Sequence, residues 1–310
     1  MILRLGGDRW WPATMVLFGP RWLFVSPLLV LFPITCLHRR RALAMLAVSA
    51  WIGVVPVMGF SIPWRAAFSR QSASPPFRVL TCNIHRHQIN IQALQNVIAE
   101  QKPDIIALQE WSSKYDAIFA KDIWHLLRQG EVLLASRFPI TKSELIGEGF
   151  EQPGDAVCFD IDTPNGKVHV VNVHLASPHY QIEDVLDRSP SGGQALQSNS
   201  ERRHRQSQAV RRYVDGLGPN TIIAGDFNTP DDSFIFRESW TGLSDAFQTA
   251  GWGFGNTYFA HKTSVRIDHL LSANGLKCEA CWVGPSVNSP HRPLIADFNG
   301  SDLKSLPFSR

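Results

Sequence analysis

Hydrophobic residues are concentrated at the start of the chain, in two stretches at residues 10–37 and 42–64. Neither stretch contains an acidic residue, and each is as long as the roughly 20 apolar residues that cross a bilayer. Arg21 and several prolines interrupt the first stretch, so its spanning part is expected to start late. We predict a membrane anchor over residues 1–69 with two transmembrane helices, at about 14–37 and 42–64. A single span, or a buried hairpin in a soluble fold, remains as an alternative.

Three arginines at residues 39–41 separate the two apolar stretches. A short arginine-rich loop stays in the cytoplasm under the positive-inside rule, which would place both ends of the anchor outside. Arg4 and Arg9 before the first stretch, and Arg65 and Arg70 after the second, act against this orientation. We predict a multi-pass protein of the cell membrane, in contact with the lipid bilayer, whose large domain is extracytoplasmic.

The hydrophobic pattern changes after residue 77, where short apolar runs of strand length end on polar residues. Runs of this kind are typical of buried strands that present polar side chains at their ends. Between the first two runs, residues 91–98 space apolar side chains for one face of a helix. The polar residues, in chain order, are Asn83, Gln109 and Glu110, Asn172 and His174, Asp226 and Asn228, Asp268 and His269, and finally His291.

This order of polar residues resembles the endonuclease/exonuclease/phosphatase superfamily, which includes DNase I, apurinic endonucleases, bacterial sphingomyelinases and inositol polyphosphate 5-phosphatases. Ser136 to Ile140 stands between the second and third motifs, as in that family, and the resemblance covers roughly residues 77–300. It implies an α+β fold, the four-layer α/β/β/α sandwich of DNase I, preceded here by a transmembrane helical hairpin. We assign the linker to residues 70–77, the catalytic domain to 78–302 and a tail to 303–310.

The resemblance assigns a metal site to Glu110, with Asn83 beside it. Carboxylate oxygens at the end of a strand suit Mg²⁺, which prefers one or two carboxylates together with water and phosphate oxygens. Mn²⁺ is the alternative ion. Asn83 is also expected to contact the substrate.

The resemblance also implies a catalytic group of five residues. Asp268 would fix the tautomer of His291, which would contact the phosphate or activate water. Asp226 would orient the attacking water, and Asn228 would bind a phosphoryl oxygen. His174 would protonate the leaving group or bind phosphate.

The last motif departs from the family pattern, which is usually Ser-Asp-His, because this chain has Ser289, Pro290 and His291. Proline supplies neither a charge nor an N–H donor. We therefore expect a single metal held by Glu110, with weaker metal affinity or lower activity. Arg292 is expected to bind substrate phosphate as a cation, and Asn172 completes the predicted substrate-binding residues.

The sequence also allows predictions for two further segments. Residues 177–200 have the Ser, Gly and Pro content of a loop, which could cover the site after His174, and a helix is expected from 201 to 217. Cys278 and Cys281 form a lone C-x-x-C, too few ligands for a structural zinc site. In a regular strand these two cysteines would point to opposite faces.

Charge is divided unevenly between the two parts of the chain. The first 77 residues hold eight arginines, no lysine and one acidic residue, which gives a net charge of +7. Because the whole chain carries +3, residues 78–310 carry a net charge of −4. A net-acidic domain is unfavourable for nucleic-acid binding, which depends on Lys and Arg neutralising phosphates. The arginines between residues 202 and 212 are a local exception.

The anchor, the motifs and the charge together resemble teicoplanin-resistance-type membrane phosphatases of the superfamily. They indicate a membrane-anchored, Mg²⁺-dependent phosphoesterase that hydrolyses a lipid-linked phosphate ester or pyrophosphate. One alternative is an extracytoplasmic, membrane-tethered nuclease that follows the nucleic-acid backbone with residues 202–212. Another is a weakly active or inactive relative that only binds its ligand. The sequence indicates no protein partner.

Overall fold

Two six-stranded β-sheets form the centre of the fold. The structure is a computed structural model that describes residues 6–38, 40–64, 76–86, 89–120, 122–152, 154–164, 166–260 and 263–300. The strands are β1 (Phe77–Asn83), β2 (Ile105–Gln109), β3 (His125–Gln129), β4 (Val132–Ser136), β5 (Ile140–Leu145), β6 (Ala156–Thr163), β7 (Gly166–His174), β8 (Thr221–Asp226), β9 (Ser244–Asp245), β10 (Tyr258–Ala260), β11 (Thr263–Val265), β12 (Asp268–Ser272), β13 (Leu276–Val283) and β14 (Leu294–Gly300).

Helices precede the sheets and cover their outer faces. The α-helices are α1 (Trp11–Phe18), α2 (Pro27–His38), α3 (Arg40–Ile52), α4 (Ile91–Gln101), α5 (His179–Leu186), α6 (Gly192–Asp215), α7 (Phe234–Ser239) and α8 (Ala246–Ala250). Short 3-10 helices span Arg21–Phe24 and Ser113–Ile118, and a π-helical turn at Gly53–Val57 continues α3.

Each sheet contains one parallel pair of strands among antiparallel neighbours. The first sheet has the order β13-β14-β1-β2-β4-β3, and the second has the order β5-β6-β7-β8-β12-β9. The parallel pairs are β1 with β2 and β7 with β8. Ligands of α/β sheets bind beyond the carboxyl ends of such strands, so the residues that follow these four strands are the candidates for a site.

The two sheets pack face to face, and helices form the layers outside them. Helix α4 lies on the outer face of the first sheet, and α6 lies on the outer face of the second. This arrangement confirms the predicted α+β fold with two packed sheets. The core between the sheets includes Val79, Ile105, Leu134, Val170, Ile222 and Leu270.

Two local predictions are wrong. Residues 177–200 are mostly helical in α5 and α6, and Gly192 allows a close turn between them, because a Cβ there would lie 2.9 Å from the Asp184 carbonyl carbon. The Ser and Gly content therefore marks a tight helix–helix turn. The register of β13 against β14 shifts between Cys278 and Ala280, so Cys278 and Cys281 both face the core between the sheets.

The first part of the predicted membrane anchor lies on the catalytic domain. Helix α1 packs against α6 with Ala13, Thr14 and Leu17 buried. Just before it, the fully buried side chains of Asp8 and Arg203 form an ion pair at 2.9 Å. Residues 14–18, which were predicted to begin the first transmembrane helix, therefore belong to the folded domain.

Helices α2 and α3 form an apolar hairpin that packs on itself and leaves the domain. Several of its large side chains are mostly exposed, among them Leu29 (78%), Phe32 (57%) and Met45 (73%). Within the described residues, no single helix is both long and apolar enough to cross a membrane, whereas Trp11–Phe18 and Arg21–Cys36 pass together as a pair bent by 94°. Most of the predicted linker and the predicted tail lie outside the described residues.

We expect Asp8→Ala to lower the free energy of unfolding by about 3–5 kcal/mol, because Arg203 would be left buried without its counter-charge. Urea denaturation of the full chain measures the effect. The control is Arg212→Ala, which removes an exposed pair with Glu148 and should cost about 0–1 kcal/mol. Equal effects of the two substitutions would show that α1 is not part of the folded domain.

Candidate active site

Asn83, at the end of β1, links the two sheets where their parallel strands end. Its side-chain amide donates hydrogen bonds to Glu110 Oε1 (3.0 Å) and Asp226 Oδ2 (3.1 Å). His174, at the end of β7, places Nε2 3.5 Å from the same amide nitrogen and 3.9 Å from an oxygen of each carboxylate. Four of the predicted site residues therefore meet at one point, each delivered by a different strand.

Glu110 turns back towards Asn83 directly after β2. Its backbone is left-handed, with φ at 55°, which is uncommon for a residue other than glycine. Its side chain is 25% exposed. A carboxylate that is fixed at one end and open to water on the other side suits a cation that keeps part of its hydration shell.

Asp268 and His291 form the predicted carboxylate–imidazole pair. His291 Nδ1 lies 2.8 Å from Asp268 Oδ2, and His291 Nε2 lies 3.7 Å from Asp226 Oδ2. Burial opposes the charged imidazole, but the carboxylates of Asp268 and Asp226 raise the pKa of His291 to about 9. At neutral pH this side chain is therefore a cation inside the site.

Asp226 and Asn228 lie on a tight turn that follows β8. Asp226 Oδ1 accepts a hydrogen bond from the backbone N–H of Asn228 (2.9 Å), whose φ is 47°. The side-chain amide of Asn228 donates one hydrogen bond to the Leu175 carbonyl (2.8 Å) and has a second hydrogen for another acceptor. Gly225 is required before the turn because a Cβ there would lie 2.0 Å from the Val173 carbonyl oxygen.

The ionisation of Asp226 is set by its surroundings. Burial raises the pKa of Asp226, the nearby charge of Asp268 raises it further, and the positive charge of His291 lowers it. The balance lies above the ordinary carboxyl value. A carboxylate with a raised pKa is a better proton acceptor, as general-base catalysis requires.

Asn172 does not reach the site, and the structure contradicts its predicted role in substrate binding. The side chain is fully buried between the sheets. Its oxygen accepts a hydrogen bond from Gln109 (2.7 Å), and its amide donates to the carbonyls of Leu108 and Leu133. Asn172 therefore ties the second sheet to the first beneath the site.

The last motif lies against Asn83. The Ser289 hydroxyl donates to the Asn83 carbonyl (2.8 Å) and accepts from the His291 backbone N–H (3.1 Å). Pro290, which stands where the family usually has an aspartate, accepts a backbone hydrogen bond from Phe259 (2.8 Å). The Arg292 guanidinium lies 4.3 Å from the centre of the Phe259 ring.

Two residues near the site were not predicted. The Tyr258 ring lies 4.9 Å from the His291 ring, and burial raises the pKa of its hydroxyl. Asp155, whose carbonyl accepts from the His174 N–H (2.7 Å), has its own pKa raised by burial. Neither residue ends an apolar run, so no signal in the hydrophobic pattern marks them.

The donor atoms present fit a divalent cation. Glu110 and Asp226 offer carboxylate oxygens at the point where they meet, and such oxygens are the ligands that Mg²⁺ and Mn²⁺ take. Asn83, which was predicted to be a metal ligand, turns its amide nitrogen to these carboxylates, and its side-chain oxygen accepts from the backbone N–H of His85 (2.9 Å). Beside them, one donor atom from each of Asp226, Asp268 and His291 lies within 4.8 Å of the others. Asp268 Oδ1 is buried and has no hydrogen-bond partner among the described residues.

A profile of the endonuclease/exonuclease/phosphatase family matches residues 80–302. The chain belongs to this family. Its members are metal-dependent hydrolases of phosphoric esters, and this protein is therefore such an enzyme. The family match covers the strands and the site residues but not α1, α2 and α3. No match was found among curated proteins.

Similar solved structures cover 72–73% of the chain. Humanized D. rerio TDP2 is 16% identical, with a TM-score of 0.58 over 73% of this chain and 100% of its own. The 3′-5′ exonuclease NExo from Neisseria meningitidis is 21% identical (TM-score 0.55, 72% and 100%). An AP endonuclease from Archaeoglobus fulgidus is 16% identical (TM-score 0.54, 72% and 99%). At these identities the likeness shows the fold.

We expect Glu110→Ala to reduce turnover by about 10³-fold, the upper range for loss of one preorganised electrostatic group, while the fold stays intact because this side chain is partly exposed at a strand end. Initial rates and circular dichroism measure the two properties. Glu144→Gln is the control, since Glu144 is an exposed carboxylate on β5 paired with Lys142. Turnover of Glu110→Ala at the wild-type rate would contradict the metal-site assignment.

The stability of the metal-free protein should depend on the charge of His291. The imidazole pKa is raised from 6.5 in the unfolded chain to about 9 in the fold, so the stabilisation is complete below the first value and lost as pH rises through the second. Melting temperatures in EDTA should therefore fall over this interval. His291→Asn should reduce this fall of the melting temperature with pH. An unchanged dependence of the melting temperature on pH in that variant would contradict the charged state of His291.

Proposed function

We propose that the protein is a membrane-anchored, Mg²⁺-dependent phosphoesterase that hydrolyses a lipid-linked phosphate ester or pyrophosphate outside the cytoplasm. This subtype resembles the teicoplanin-resistance-type membrane phosphatases. The observation that carries the proposal is the uncovered apolar hairpin of α2 and α3, which is fixed at its base to the domain that holds the candidate active site.

The hairpin has the properties of a segment surrounded by lipid. A helix that is apolar on all sides is either buried in a protein or enclosed by a membrane, and no residue in 19–36 or 42–64 is buried in this fold. The two arms, residues 21–38 and 40–57, would each reach about 27 Å at 1.5 Å per residue. That length approaches the roughly 30 Å hydrocarbon core, and bilayers thin locally around short spans.

The arms replace the two spans inferred from composition. Moving the first span from about 14–37 to 21–38 removes α1, which lies on the domain. The arginines at 39–41 lie in sequence between the two arms, and the positive-inside rule favours the cytoplasm for that end of the hairpin. The catalytic domain, attached at the other end, would face outward.

The residues of the site suit phosphoryl transfer to water. A divalent cation held by Glu110, with Asn83 beside it, would supply charge neutralisation at the phosphate. His291, charged at neutral pH, would bind a phosphoryl oxygen, and Asp226 would orient water and accept its proton. His174 would protonate the leaving oxygen, while Asn228 would donate its second amide hydrogen to the phosphate.

The basic helix α6 offers little support for nucleic-acid binding, because most of its arginines already have carboxylate partners. Arg203 is buried with Asp8 inside the fold. Such pairing leaves few free cations to neutralise a nucleic-acid backbone. The other pairs are Arg202 with Glu151 (3.3 Å), Arg211 with Asp215 (2.7 Å) and Arg212 with Glu148 (2.6 Å).

A tethered nuclease is the second candidate. It is favoured by the names of the similar structures, which include an exonuclease, an AP endonuclease and a phosphatase bound to a DNA hairpin product. In that function, substrate binding would weaken steeply with added salt through counterion release.

The test is hydrolysis by the detergent-purified full chain, with Mg²⁺ or with EDTA, followed as phosphate release from lipids and as strand cleavage of DNA. A polyprenyl pyrophosphate and a phospholipid panel are compared with single- and double-stranded DNA, and Glu110→Ala is the control. We expect the wild-type protein to release phosphate from a lipid substrate only with Mg²⁺, and we expect Glu110→Ala to release none.

DNA cleavage that Glu110→Ala abolishes, without lipid turnover, would replace the proposal with a tethered nuclease. Binding of a lipid phosphate without turnover would indicate a relative that has lost activity.

A further inference from the structure

The hairpin is joined to the catalytic domain at both ends of its base. Arg21, before α2, makes two hydrogen bonds to Asp232 at 2.8 and 2.9 Å. After α3, Ser61 pairs with Gly253 through two backbone hydrogen bonds, of 2.8 and 3.1 Å. Such contacts fix the angle between hairpin and domain, so one face of the domain must lie beside the surface that the hairpin enters.

Exposed aromatic residues mark that face. Trp252 is 68% exposed and Phe254 is 36% exposed, and both rings contact Phe60 edge-on at the base of the hairpin. Phe259, on β10, is 38% exposed. Three large aromatic side chains in eight residues are thus left partly uncovered, although burying one typically stabilises a fold by about 1.5–3 kcal/mol.

The same segment leads to the active site. The backbone N–H of Phe259 donates to the Pro290 carbonyl (2.8 Å), and Tyr258 forms an isolated β-bridge with His291. The Arg292 guanidinium lies over the Phe259 ring. A continuous run of contacts therefore joins the base of the hairpin to the imidazole of the site.

We propose that Trp252, Phe254, Phe259 and Arg292 form a lipid-facing rim that seats the active site against the headgroup layer of the bilayer. This inference rests on the proposed membrane anchor and adds where the lipid substrate meets the enzyme. Trp prefers the depth of the headgroups. Arg292, whose guanidinium lies over the Phe259 ring, would face anionic lipid phosphates.

The bilayer is the occupant that the structure favours over a second copy or another protein. The rim continues directly into the apolar hairpin through Phe60, so a membrane that surrounds the hairpin reaches the rim without any further partner. A flat protein interface would instead leave the hairpin uncovered.

The test uses environment-sensitive fluorophores on single cysteines. Cys36 is the exposed native cysteine among five, the other four being buried, so Cys36→Ser gives a background in which only an introduced thiol is labelled. Trp252→Cys carries the probe, and Leu145→Cys is the control, since Leu145 is 45% exposed on β5 at the opposite edge of the second sheet. The full chain is reconstituted in phosphatidylethanolamine/phosphatidylglycerol vesicles.

We expect the probe at 252 to shift to the blue and to be quenched by brominated lipid, whereas the probe at 145 stays in water. Trp252→Ala should lower turnover of bilayer-embedded lipid by about tenfold, the loss of one partly buried aromatic anchor. Turnover of a short-chain, water-soluble phosphoester should not change.

Other outcomes separate this inference from the proposed function. A probe at 252 that stays in water while the anchored enzyme hydrolyses lipid overturns the rim and leaves the proposed function intact. A probe at 252 in lipid, with no lipid hydrolysis, supports the rim and overturns the proposed function. A blue shift in detergent that grows with protein concentration overturns the rim in favour of self-association.

Discussion

The structure depends on the meeting of two parallel strand pairs, which Asn83 joins with a single side-chain amide. This amide donates to Glu110, which follows a strand of the first sheet, and to Asp226, which ends a strand of the second. It therefore holds close together two carboxylates that would otherwise repel each other. Beneath it, Gln109 and Asn172 connect the same strands in a fully buried layer. The buried polar bonds fix how the sheets are aligned, because a shift of one residue would leave several of these groups without partners.

The electrostatic balance of the site follows from that alignment. Asp268 lies close enough to Asp226 to raise the pKa of Asp226, and both carboxylates raise the pKa of His291. The imidazole is held charged by this pair, which gives a buried cation next to a cluster of carboxylates. A site that carries its own cation can bind a phosphoryl oxygen even where Pro290 replaces the acid of the family's last motif, since positive charge reaches the phosphate from His291 as well as from a metal.

The sequence predicted most of the site because its residues flank apolar runs: Glu110 and Asp226 stand at the ends of buried strands, and Asp268 stands at the start of one. Asn172 shows the limit of that reasoning. The side chains of its strand point alternately to the two faces of the sheet, and both faces are covered in this fold. The hydrophobic pattern therefore does not show which polar side chain is accessible to a substrate. The packing of α1 on the domain could not be predicted either, because an apolar helix can pack on a domain surface as well as in a bilayer. Tyr258 and Asp155 reach the site from connecting segments that carry no periodic signal.

Arg21 explains where the hairpin begins. A cation in a long apolar stretch is unfavourable in lipid unless it is paired, and its side chain is fully engaged by Asp232 on the catalytic domain. The chain bends by 94° at this point, with α1 on the domain and α2 leaving it. The residue that interrupts the hydrophobic stretch is therefore the boundary between the folded domain and the hairpin. Because Asp232 lies four residues after Asn228 on the same loop, the boundary also touches the loop that carries a site residue, which places the start of the hairpin and the catalytic chemistry on one connected element.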